Sequence, residues 1–185
     1  GCSDENNHTP IGSGIYVNAG SGIVIDSCII NGNTSWEDGS AINYRSSSSI
    51  GAITNCLIYN NTCTTPYYDD AAIFIHGAEM KVANNTIVYN NGKGIHIYSP
   101  WPIITNNIVY GNDGSSFMSN SGSDYDHINY NYGMGASWEQ STGNIEESYW
   151  FHDPNTGEFS EIYNGPPNFM NPDSNNFALQ LNSIC

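Results

Sequence analysis

Positive charge is the scarcest feature of this sequence. Lysine and arginine together number 3 against 18 aspartates and glutamates, which gives the 185-residue chain a formal net charge of −15. Proteins that bind nucleic acids or anionic membranes need clustered cations to neutralise phosphate groups. The sequence therefore predicts neither a nucleic-acid partner nor a membrane-surface partner.

Long hydrophobic runs and helical patterns are also missing. No stretch approaches the roughly 20 apolar residues that cross a bilayer, and no segment combines helical periodicity with capping residues. We therefore expect no membrane span and no substantial helix. Short runs of β-branched and aromatic residues between Gly, Asn and Ser are abundant instead, and they are typical of strands.

Cysteine is sparse, and the five cysteines leave one unpaired in an oxidising compartment. The repeat described below puts Cys28 and Cys56 at equivalent positions, where a disulfide and two buried thiols are equally compatible with the sequence. Residues 1–4 match the sequence that remains after lipoprotein cleavage, in which the cysteine carries the lipid. We favour the alternative that Cys2 belongs to an incomplete first coil. The pairing stays open for Cys2, Cys28, Cys56, Cys63 and Cys185.

One motif recurs four times in the part of the chain that ends at Asn112. It combines a polar start, a pair of aliphatic residues and an Asn- or Gly-rich end, and it occupies residues 27–33, 55–61, 85–91 and 106–112. The first aliphatic residues of the four copies are Ile29, Leu57, Ile87 and Ile108. The first two steps between them are nearly equal, and the third is shorter.

A second motif recurs in step with the first. It occupies residues 14–17, 41–44, 72–75 and 94–97, and its third step is shortened in the same way. Two motifs that recur together, with the length variation confined between them, are typical of a solenoid. We predict about four to five coils in residues 1–112, the first of them incomplete.

Stacked coils place equivalent residues in columns about 4.8 Å apart. Two inward columns are predicted to form the core: Ile15, Ile42, Ile73 and Ile95, and Val17, Tyr44, Ile75 and Ile97. Amide side chains are predicted to stack in a ladder at a tight turn: Ser27, Asn55, Asn85 and Asn106. Strand parity predicts an outward aliphatic ridge: Ile30, Ile58, Val88 and Val109.

The asparagine turn, the three short strands in each repeat and the long variable loop resemble the right-handed parallel β-helix, the fold of pectate lyases and their relatives. The resemblance covers about residues 11–112. It implies an all-β fold, a right-handed parallel β-helix, and it is far more specific for fold than for activity.

Residues 113–185 differ in kind from the repeats. Residues 143–145, 167–172, 176–181 and 183–185 follow an order that resembles the closing segment of many bacterial secreted β-helix proteins, with Ile184 where proline is usual. The resemblance implies an extracellular or cell-surface location and a parent chain that continues beyond Cys185. We expect an irregular segment packed on the coils, which covers the ridge with aromatic side chains: Trp138, Tyr149, Trp150, Phe151, Phe169 and Phe177.

In the lyases that the chain resembles, the substrate groove runs along the strand after the long loop, which here is the strand of Ile42. Aromatic and amide side chains there would offer flat apolar faces and polar edges to sugar rings. The candidate glycan-binding residues are Tyr16, Asn43, Phe74, His96 and Tyr98 on the strands and Trp36, Tyr67 and Tyr68 on the loops.

Acidic residues on the same loops are the candidate metal ligands. Aligned back from the inward isoleucines, Asp38, Asp69 and Asn91 fall in one column, and Asp70 lies next to it. Stacked carboxylates repel one another, and a hard cation such as Ca²⁺ would relieve that repulsion. Ca²⁺ is therefore the one cofactor that the sequence predicts.

The face that carries the groove also holds the candidate catalytic residues: Arg45, Lys93 and His76. A lyase would need a base beside the acidic carbon of the sugar and a cation to neutralise the uronate carboxylate. A hydrolase would need two carboxylates that flank the bond, and Asp38 with Asp69 or Asp70 is the only pair to nominate.

Three functions stay open at this point. The preferred one is an extracellular or cell-surface β-helix module that contacts a polysaccharide, another surface glycan or other surface components without catalysis. The first alternative is a calcium-assisted polysaccharide lyase. The second is a structural subunit that self-associates through its coil edges or its aliphatic ridge, as in a surface filament or adhesin.

Overall fold

The computed structural model describes residues 2–5, 8–11, 14–18, 22–45, 50–65, 70–76, 79–98, 102–114, 117–119, 128–129, 131–133, 145–146, 148–152, 159–163, 169–171 and 176–179. Every regular element within these ranges is a β-strand, so the prediction of an all-β fold is confirmed. These ranges contain no helix long and apolar enough to cross a membrane.

Three parallel sheets form the walls of the molecule. Sheet 1 contains, in spatial order, β1 (Cys2–Glu5), β5 (Cys28–Asn31), β9 (Leu57–Tyr59), β13 (Thr86–Val88), β16 (Ile108–Tyr110), β19 (Tyr132–Gly133) and β20 (Ile145–Glu146). Sheet 2 contains β3 (Ile15–Asn18), β7 (Gly39–Arg45), β11 (Ala71–His76), β14 (Lys93–Tyr98) and β17 (Phe117–Ser119). Sheet 3 contains β4 (Val24–Asp26), β8 (Ile50–Thr54), β12 (Glu79–Ala83), β15 (Ile103–Thr105) and β18 (Ile128–Asn129).

Shorter strands complete the structure. A fourth parallel sheet joins β2 (His8–Ile11), β6 (Thr34–Glu37) and β10 (Thr62–Cys63), so part of the segment that we expected to be loop is strand. Two antiparallel hairpins follow near the end of the chain: β21 (Ser148–His152) with β22 (Phe159–Tyr163), and β23 (Phe169–Asn171) with β24 (Asn176–Leu179).

The chain passes through the sheets in a fixed order. From β7 in sheet 2 it continues to β8 in sheet 3, β9 in sheet 1 and the short β10, and then returns to sheet 2 as β11 beside β7. Each circuit therefore adds one parallel strand to every wall, which is the architecture of a parallel β-helix.

The predicted core columns of sheet 2 are confirmed. Strand pairing aligns Ile15 with Ile42, Ile42 with Ile73 and Ile73 with Ile95, and the second column follows two residues later in the same register. Six of the eight side chains are fully buried, Val17 is 5% exposed and Ile15 is partly buried against them. Their burial supplies the hydrophobic stabilisation of this wall.

Sheet 1 corrects the register that we predicted for the first motif. Pairing aligns Ile30 with Ile58, then Ile87, then Val109, and all four side chains lie in the core. The predicted outward ridge is therefore wrong for Ile30, Ile58 and Val109. Only Val88 belongs to a separate apolar cluster, with partly buried neighbours Leu57, Tyr59, Ile108 and Tyr110.

The tight turn before sheet 1 explains the error of register in the third repeat, where Val88 was predicted in place of Ile87. Four residues there have left-handed backbones: Ser27 (φ 54°), Asn55 (φ 55°), Asn84 (φ 59°) and Asn106 (φ 55°). Asparagine adopts this conformation more readily than most residues. Asn84 thus occupies the position that we gave to Asn85, because two adjacent asparagines in the third repeat make the alignment ambiguous.

In the later coils the residue after the left-handed position is a buried asparagine, Asn85 or Asn107, whereas Cys28 and Cys56 occupy that position in the earlier coils. Asn85 Nδ2 donates to Asn107 Oδ1 at 2.9 Å, and Asn107 Nδ2 donates to Asn131 Oδ1 at 2.9 Å. The same oxygens accept backbone N–H groups of the neighbouring coil, such as that of Cys56 at 2.9 Å from Asn85 Oδ1. A ladder therefore exists at this turn, but of its predicted members only Asn85 belongs to it. The prediction is wrong for Ser27, Asn55 and Asn106, which occupy the left-handed positions instead.

A second amide ladder, which the sequence analysis missed, closes the other end of sheet 1. Its rungs are joined by Nδ2–Oδ1 hydrogen bonds of 3.0, 2.9 and 2.9 Å between Asn33, Asn61, Asn90 and Asn112. Each rung follows a left-handed residue: Gly32, Asn60, Tyr89 and Gly111. The two ladders satisfy the turn backbone at both ends of one sheet.

The coils continue past residue 112, where we expected them to end. Strands β17, β18 and β19 stack in parallel on β14, β15 and β16, and β20 stacks on β19. Sheet 1 therefore has seven strands, more than our predicted four to five coils supply. The tail aromatics that we expected to cover the ridge lie outside the described side chains.

The cysteines divide into two groups. Cys28 is disulfide-bonded, and Cys2 is its backbone neighbour across β1 and β5. Cys56 and Cys63 are free and buried, so a disulfide between Cys28 and Cys56 is excluded. Cys185 lies outside the described residues.

Candidate functional site

Sheet 2 carries the predicted groove residues in the expected register. Tyr16, Asn43, Phe74 and His96 are aligned across β3, β7, β11 and β14. Tyr16 is 45% exposed, but Asn43, Phe74 and His96 are at most 2% exposed. These three present almost no surface to a ligand, and their role in glycan binding stays a prediction.

The neighbouring outward side chains pack around Phe74. The Arg45 guanidinium carbon lies 5.1 Å from the centre of the Phe74 ring. The rings of His76 and Tyr98 lie with their centroids 6.4 and 5.8 Å from that of Phe74. Such aromatic and cation–π contacts stabilise a surface cluster. Arg45 and His76 are therefore engaged in packing.

Asp38 is held by the same cluster. Its carboxylate forms an ion pair with Arg45 and accepts a hydrogen bond from Asn43 Nδ2 at 3.4 Å. The Asp38 side chain is only 8% exposed, whereas that of Arg45 is 36% exposed. A buried carboxylate needs such compensation, and here a guanidinium supplies it.

Sheet pairing places Asp38 level with Asp70. Gly39 pairs with Ala71 and Ile42 pairs with Ile73, so β7 has one residue more than β11 between these two pairs. This extra residue forms a bulge that the sequence pattern does not reveal. Asp38 therefore does not belong to the predicted column with Asp69 and Asn91.

Asp70 forms an ion pair with Lys93 on the next coil. Each candidate metal ligand that the structure describes thus has a cation of its own. Among the described residues, no group of three His, Cys, Asp or Glu side chains is placed to hold a metal ion. Asp69, Tyr67 and Tyr68 lie outside those residues, and calcium binding stays a prediction. Trp36, on β6, is 64% exposed.

A cleft of about 540 Å³ opens at the corner where the chain passes from sheet 1 to sheet 2. Three successive coils contribute to it. Its lining residues are Thr62, Cys63, Thr64, Asp70, Asn91, Gly92, Lys93, Asp113 and Gly114.

Lys93 and Asp70 form a charged pair on adjacent coils in this cleft. The backbone N–H of Lys93 donates to the carbonyl oxygen of Asp70 at 3.0 Å, which fixes the two residues side by side. Their side chains are 15% and 20% exposed. Partial burial lowers the local screening, so each charge largely cancels the other.

Asp113 and Asn91 form the more exposed side of the cleft. Asn91 Nδ2 donates to Asp113 Oδ2 at 2.8 Å. No cation pairs with Asp113 within the described part of the chain. Its carboxylate therefore keeps acceptor capacity toward a ligand.

Gly92 keeps the middle of the cleft open. Its φ of +108° is unfavourable for residues with a side chain, and an added Cβ would lie 3.3 Å from the Asp70 backbone. Because the chain has no side chain there, the cleft stays open between Asp70 and Asn91.

Cys63 contributes a neutral thiol to the wall. It is 5% exposed, and burial raises the pKa of its thiol above the usual value. Its Sγ lies 3.6 Å from the carbonyl oxygens of Trp36 and Thr65. A buried thiol of raised pKa is a poor nucleophile. Cys63 therefore contributes to the wall of the cleft and not to a reaction.

Comparison with known families identifies the chain. A family model described as "right handed beta helix region" matches residues 2–149, which is most of the 185-residue sequence. This protein belongs to the right-handed β-helix family. The match extends well past residue 112, as the coils do. No curated protein and no solved structure matches the chain.

Sequence reasoning found only part of the cleft of this β-helix protein. It named Asp70, Asn91 and Lys93 but missed Thr62 and Asp113, because it predicted neither the short strand of Thr62 nor the coil that follows residue 112. A signal was present: residues 90–92 (Asn-Asn-Gly) and 112–114 (Asn-Asp-Gly) repeat one triplet at the cleft. A triplet with hydrogen-bonding side chains that recurs at the same turn of successive coils indicates a polar surface at that corner of the β-helix.

Proposed function

We propose that this β-helix protein is a glycan-binding module, and that the cleft beside Lys93 holds the sugar. The observation that carries the proposal is the cleft itself. Its volume of about 540 Å³ falls within the range of about 300–1,000 Å³ typical of ligand sites. The coarser assignment, a β-helix module, follows from the family match.

The lining of the cleft fits the hydroxyl groups of a sugar. Asp113 supplies carboxylate acceptors, the amide of Asn91 supplies a donor and an acceptor, and Thr62 and Thr64 add hydroxyls that do both. A sugar ring offers several hydroxyls that each donate and accept. Paired donors and acceptors at a partly enclosed corner therefore favour a carbohydrate over an apolar ligand.

The arrangement of charges supports binding without catalysis. Asp70 is occupied by Lys93, so Asp113 is the only carboxylate of the described lining that has no cation of its own. General acid–base cleavage of a glycoside needs two carboxylates on either side of one bond. A lysine held by an aspartate is likewise poorly suited to act as the base of a lyase.

We also propose that the protein acts outside the cell. The disulfide at Cys28 supports this location because disulfides persist in oxidising compartments. Surface polysaccharides are the glycans available there. A calcium requirement belongs to the lyase alternative, and the experiment below tests it.

The test is a glycan-binding measurement with a matched pair of lysine variants. The purified protein is screened on a polysaccharide array, and dissociation constants of the hits are measured by calorimetry with calcium or with a chelator. Lys93→Ala is expected to weaken binding about tenfold or more, because it removes the aliphatic stem that forms part of the cleft wall and leaves the Asp70 carboxylate without its cation. Lys81→Ala changes the same charge on the exposed outer face of sheet 3 and is expected to leave affinity unchanged.

The outcomes separate the candidate functions. Equal affinity for Lys93→Ala and the unchanged protein, with both variants folded by circular dichroism, would contradict the cleft as the site. Binding of no polysaccharide would contradict the function. Release of unsaturated sugar products in the presence of calcium would establish the lyase instead.

Self-association is a second candidate because sheet 3 exposes aliphatic side chains. Ile50 is 74% exposed, Val24 is 66% exposed and Ile103 is 49% exposed. Val24 and Ile50 lie on the paired strands β4 and β8, whereas Ala52 and Lys81 separate Val24 from Ile103. Exposed apolar surface such as that of Val24 and Ile50 is typical of contact sites. Sedimentation at rising protein concentration tests this function: Val24→Ser with Ile50→Ser should abolish any oligomer, and a monomer at all concentrations contradicts it.

A further inference from the structure

The charges in the cleft bear on the kind of glycan that binds there. Lys93 is the only cation in its described lining, and its ammonium group is already paired with Asp70. Asp113 adds a carboxylate whose described partner is the neutral amide of Asn91. The cleft therefore carries one negative charge in excess, because Asp70 and Lys93 cancel each other.

The rest of the molecule reinforces this local excess. The chain has a formal net charge of −15, so an anionic polymer approaches against a repulsive field. A bound uronate carboxylate would also need a free cation or several N–H donors to replace its hydration. Within the described lining, the ammonium group that would do so is occupied.

We propose that the cleft selects uncharged glycans and rejects uronates, and that Asp70 is the residue that determines this specificity. The inference rests on the proposed glycan-binding function. In this arrangement, Asp113 and Asn91 hydrogen-bond sugar hydroxyls, while Asp70 holds Lys93 so that its charge is not available to an acidic sugar. The excess negative charge does not lower the affinity for uncharged ligands, whereas it repels acidic ligands.

The proposal makes an unusual prediction about Asp70→Asn. Removal of the carboxylate releases the Lys93 charge into the cleft, so galacturonate or alginate tetrasaccharides should bind about tenfold or more tightly than they bind the unchanged protein. Affinity for uncharged hexose tetrasaccharides should change by no more than about threefold. Glu79→Gln removes one negative charge from the exposed face of sheet 3 and serves as the control for net charge.

The measurement is calorimetry or glycan-array binding with both sets of tetrasaccharides. Preference of the unchanged protein for uncharged tetrasaccharides, with a gain for uronates in Asp70→Asn but not in Glu79→Gln, is the expected result. Tighter binding of uronates by the unchanged protein overturns the inference and leaves the glycan-binding function intact. An equal gain in Glu79→Gln also overturns it, because net charge would then explain the effect. Binding of neither set overturns the proposed function, and the inference with it.

Salt dependence gives a second test that needs no variant. Affinity of the unchanged protein for an uncharged tetrasaccharide should vary less than about twofold between about 20 mM and about 500 mM sodium chloride. Any residual uronate binding should strengthen as salt screens the repulsion. Uronate binding that weakens steeply with salt would show an attractive cation in the cleft and would overturn the proposal.

Discussion

The side chain of Asn61 is a middle rung of the second amide ladder, and its removal tests how much that ladder stabilises the fold. Asn61 is fully buried. Its Nδ2 donates to the carbonyl oxygens of Ile30 and Tyr59, both at 3.1 Å, and to Asn90 Oδ1 at 2.9 Å. Its Oδ1 accepts from Asn33 N at 3.1 Å and Asn33 Nδ2 at 3.0 Å.

The substitution Asn61→Ala removes all of these hydrogen bonds at once. Three buried groups then lose a partner: the backbone N–H of Asn33, its side-chain amide and the carbonyl oxygen of Ile30. Asn90 Oδ1 keeps its hydrogen bond from the backbone N–H of residue 61, at 3.0 Å. The loss of a hydrogen bond by a buried group costs about 1–3 kcal/mol where no other partner replaces it. We expect a loss of about 3–5 kcal/mol in the free energy of unfolding, since a water molecule in the vacated space restores part of it.

Equilibrium denaturation in guanidinium chloride, followed by circular dichroism, measures this loss. The slope against denaturant should stay unchanged while the midpoint falls. Asn60→Gly is the matched control, because Asn60 is an exposed neighbour with a left-handed φ of 54° that glycine adopts freely. That variant should stay within about 0.5 kcal/mol of the unchanged protein.

A loss below about 1 kcal/mol for Asn61→Ala, at constant slope, would refute the reasoning. It would mean that the neighbouring amides find other partners and that the ladder is not a required part of the fold. A large loss in Asn60→Gly would refute it in another way, because the turn and not the ladder would then carry the stability.

Three further predictions concern other parts of the molecule. Gly51→Ala should cost about 1–3 kcal/mol in denaturation experiments, because its Cβ would lie 2.5 Å from the Tyr44 hydroxyl; an unchanged midpoint would show that the core yields there. The pKa of Asp26 is lowered in the folded protein, first by the hydrogen bond that its carboxylate accepts from the Thr54 hydroxyl. The ionised carboxylate therefore adds stability above about pH 4 that is lost as the pH falls further. Asp26→Asn should flatten this part of the plot of unfolding free energy against pH, and an unaltered plot would contradict the assignment. Burial raises the pKa of the Cys56 and Cys63 thiols, so both should react with a disulfide reagent slowly in the native state and rapidly in denaturant, whereas fast native reaction at either thiol would show an open wall.

The repeated motifs were enough to predict the fold because each coil repeats the same local chemistry. The inward isoleucine column of sheet 2 could be aligned from the sequence, since in every copy the isoleucine follows Gly or Ala and a second inward residue comes two positions later. Sheet 1 was harder: two adjacent asparagines, Asn84 and Asn85, offered two registers that differ by one residue. In the third copy this slip of one residue exchanged Ile87 for Val88 and so inverted the sides of the strand. In the other copies the parity itself was assigned wrongly, because Ile30, Ile58 and Val109 lie in the core.

The candidate site was predicted less well than the fold. The residue types were right for Asp70 and Lys93, but the bulge in β7 moved Asp38 out of the column that we assigned to it. The outward column of sheet 2 also proved to be packed, with Phe74 and His96 buried. Burial of an outward strand residue depends on what covers it, and a repeat pattern contains no information about that.

The sequence by itself determined the class of structure, because hydrophobic periodicity, turn-forming asparagines and repeat length are local properties that recur along the chain. It also determined the acidic character of the molecule. Only the tertiary structure decided which asparagine of each pair lies in a ladder and which carboxylate faces which cation. It also decided which three coils together line a cleft. Those features depend on the register between coils that are far apart in the chain, as Asn33 is from Asn61 and Asn85 is from Asn107. A single inserted residue changes that register without changing the local pattern.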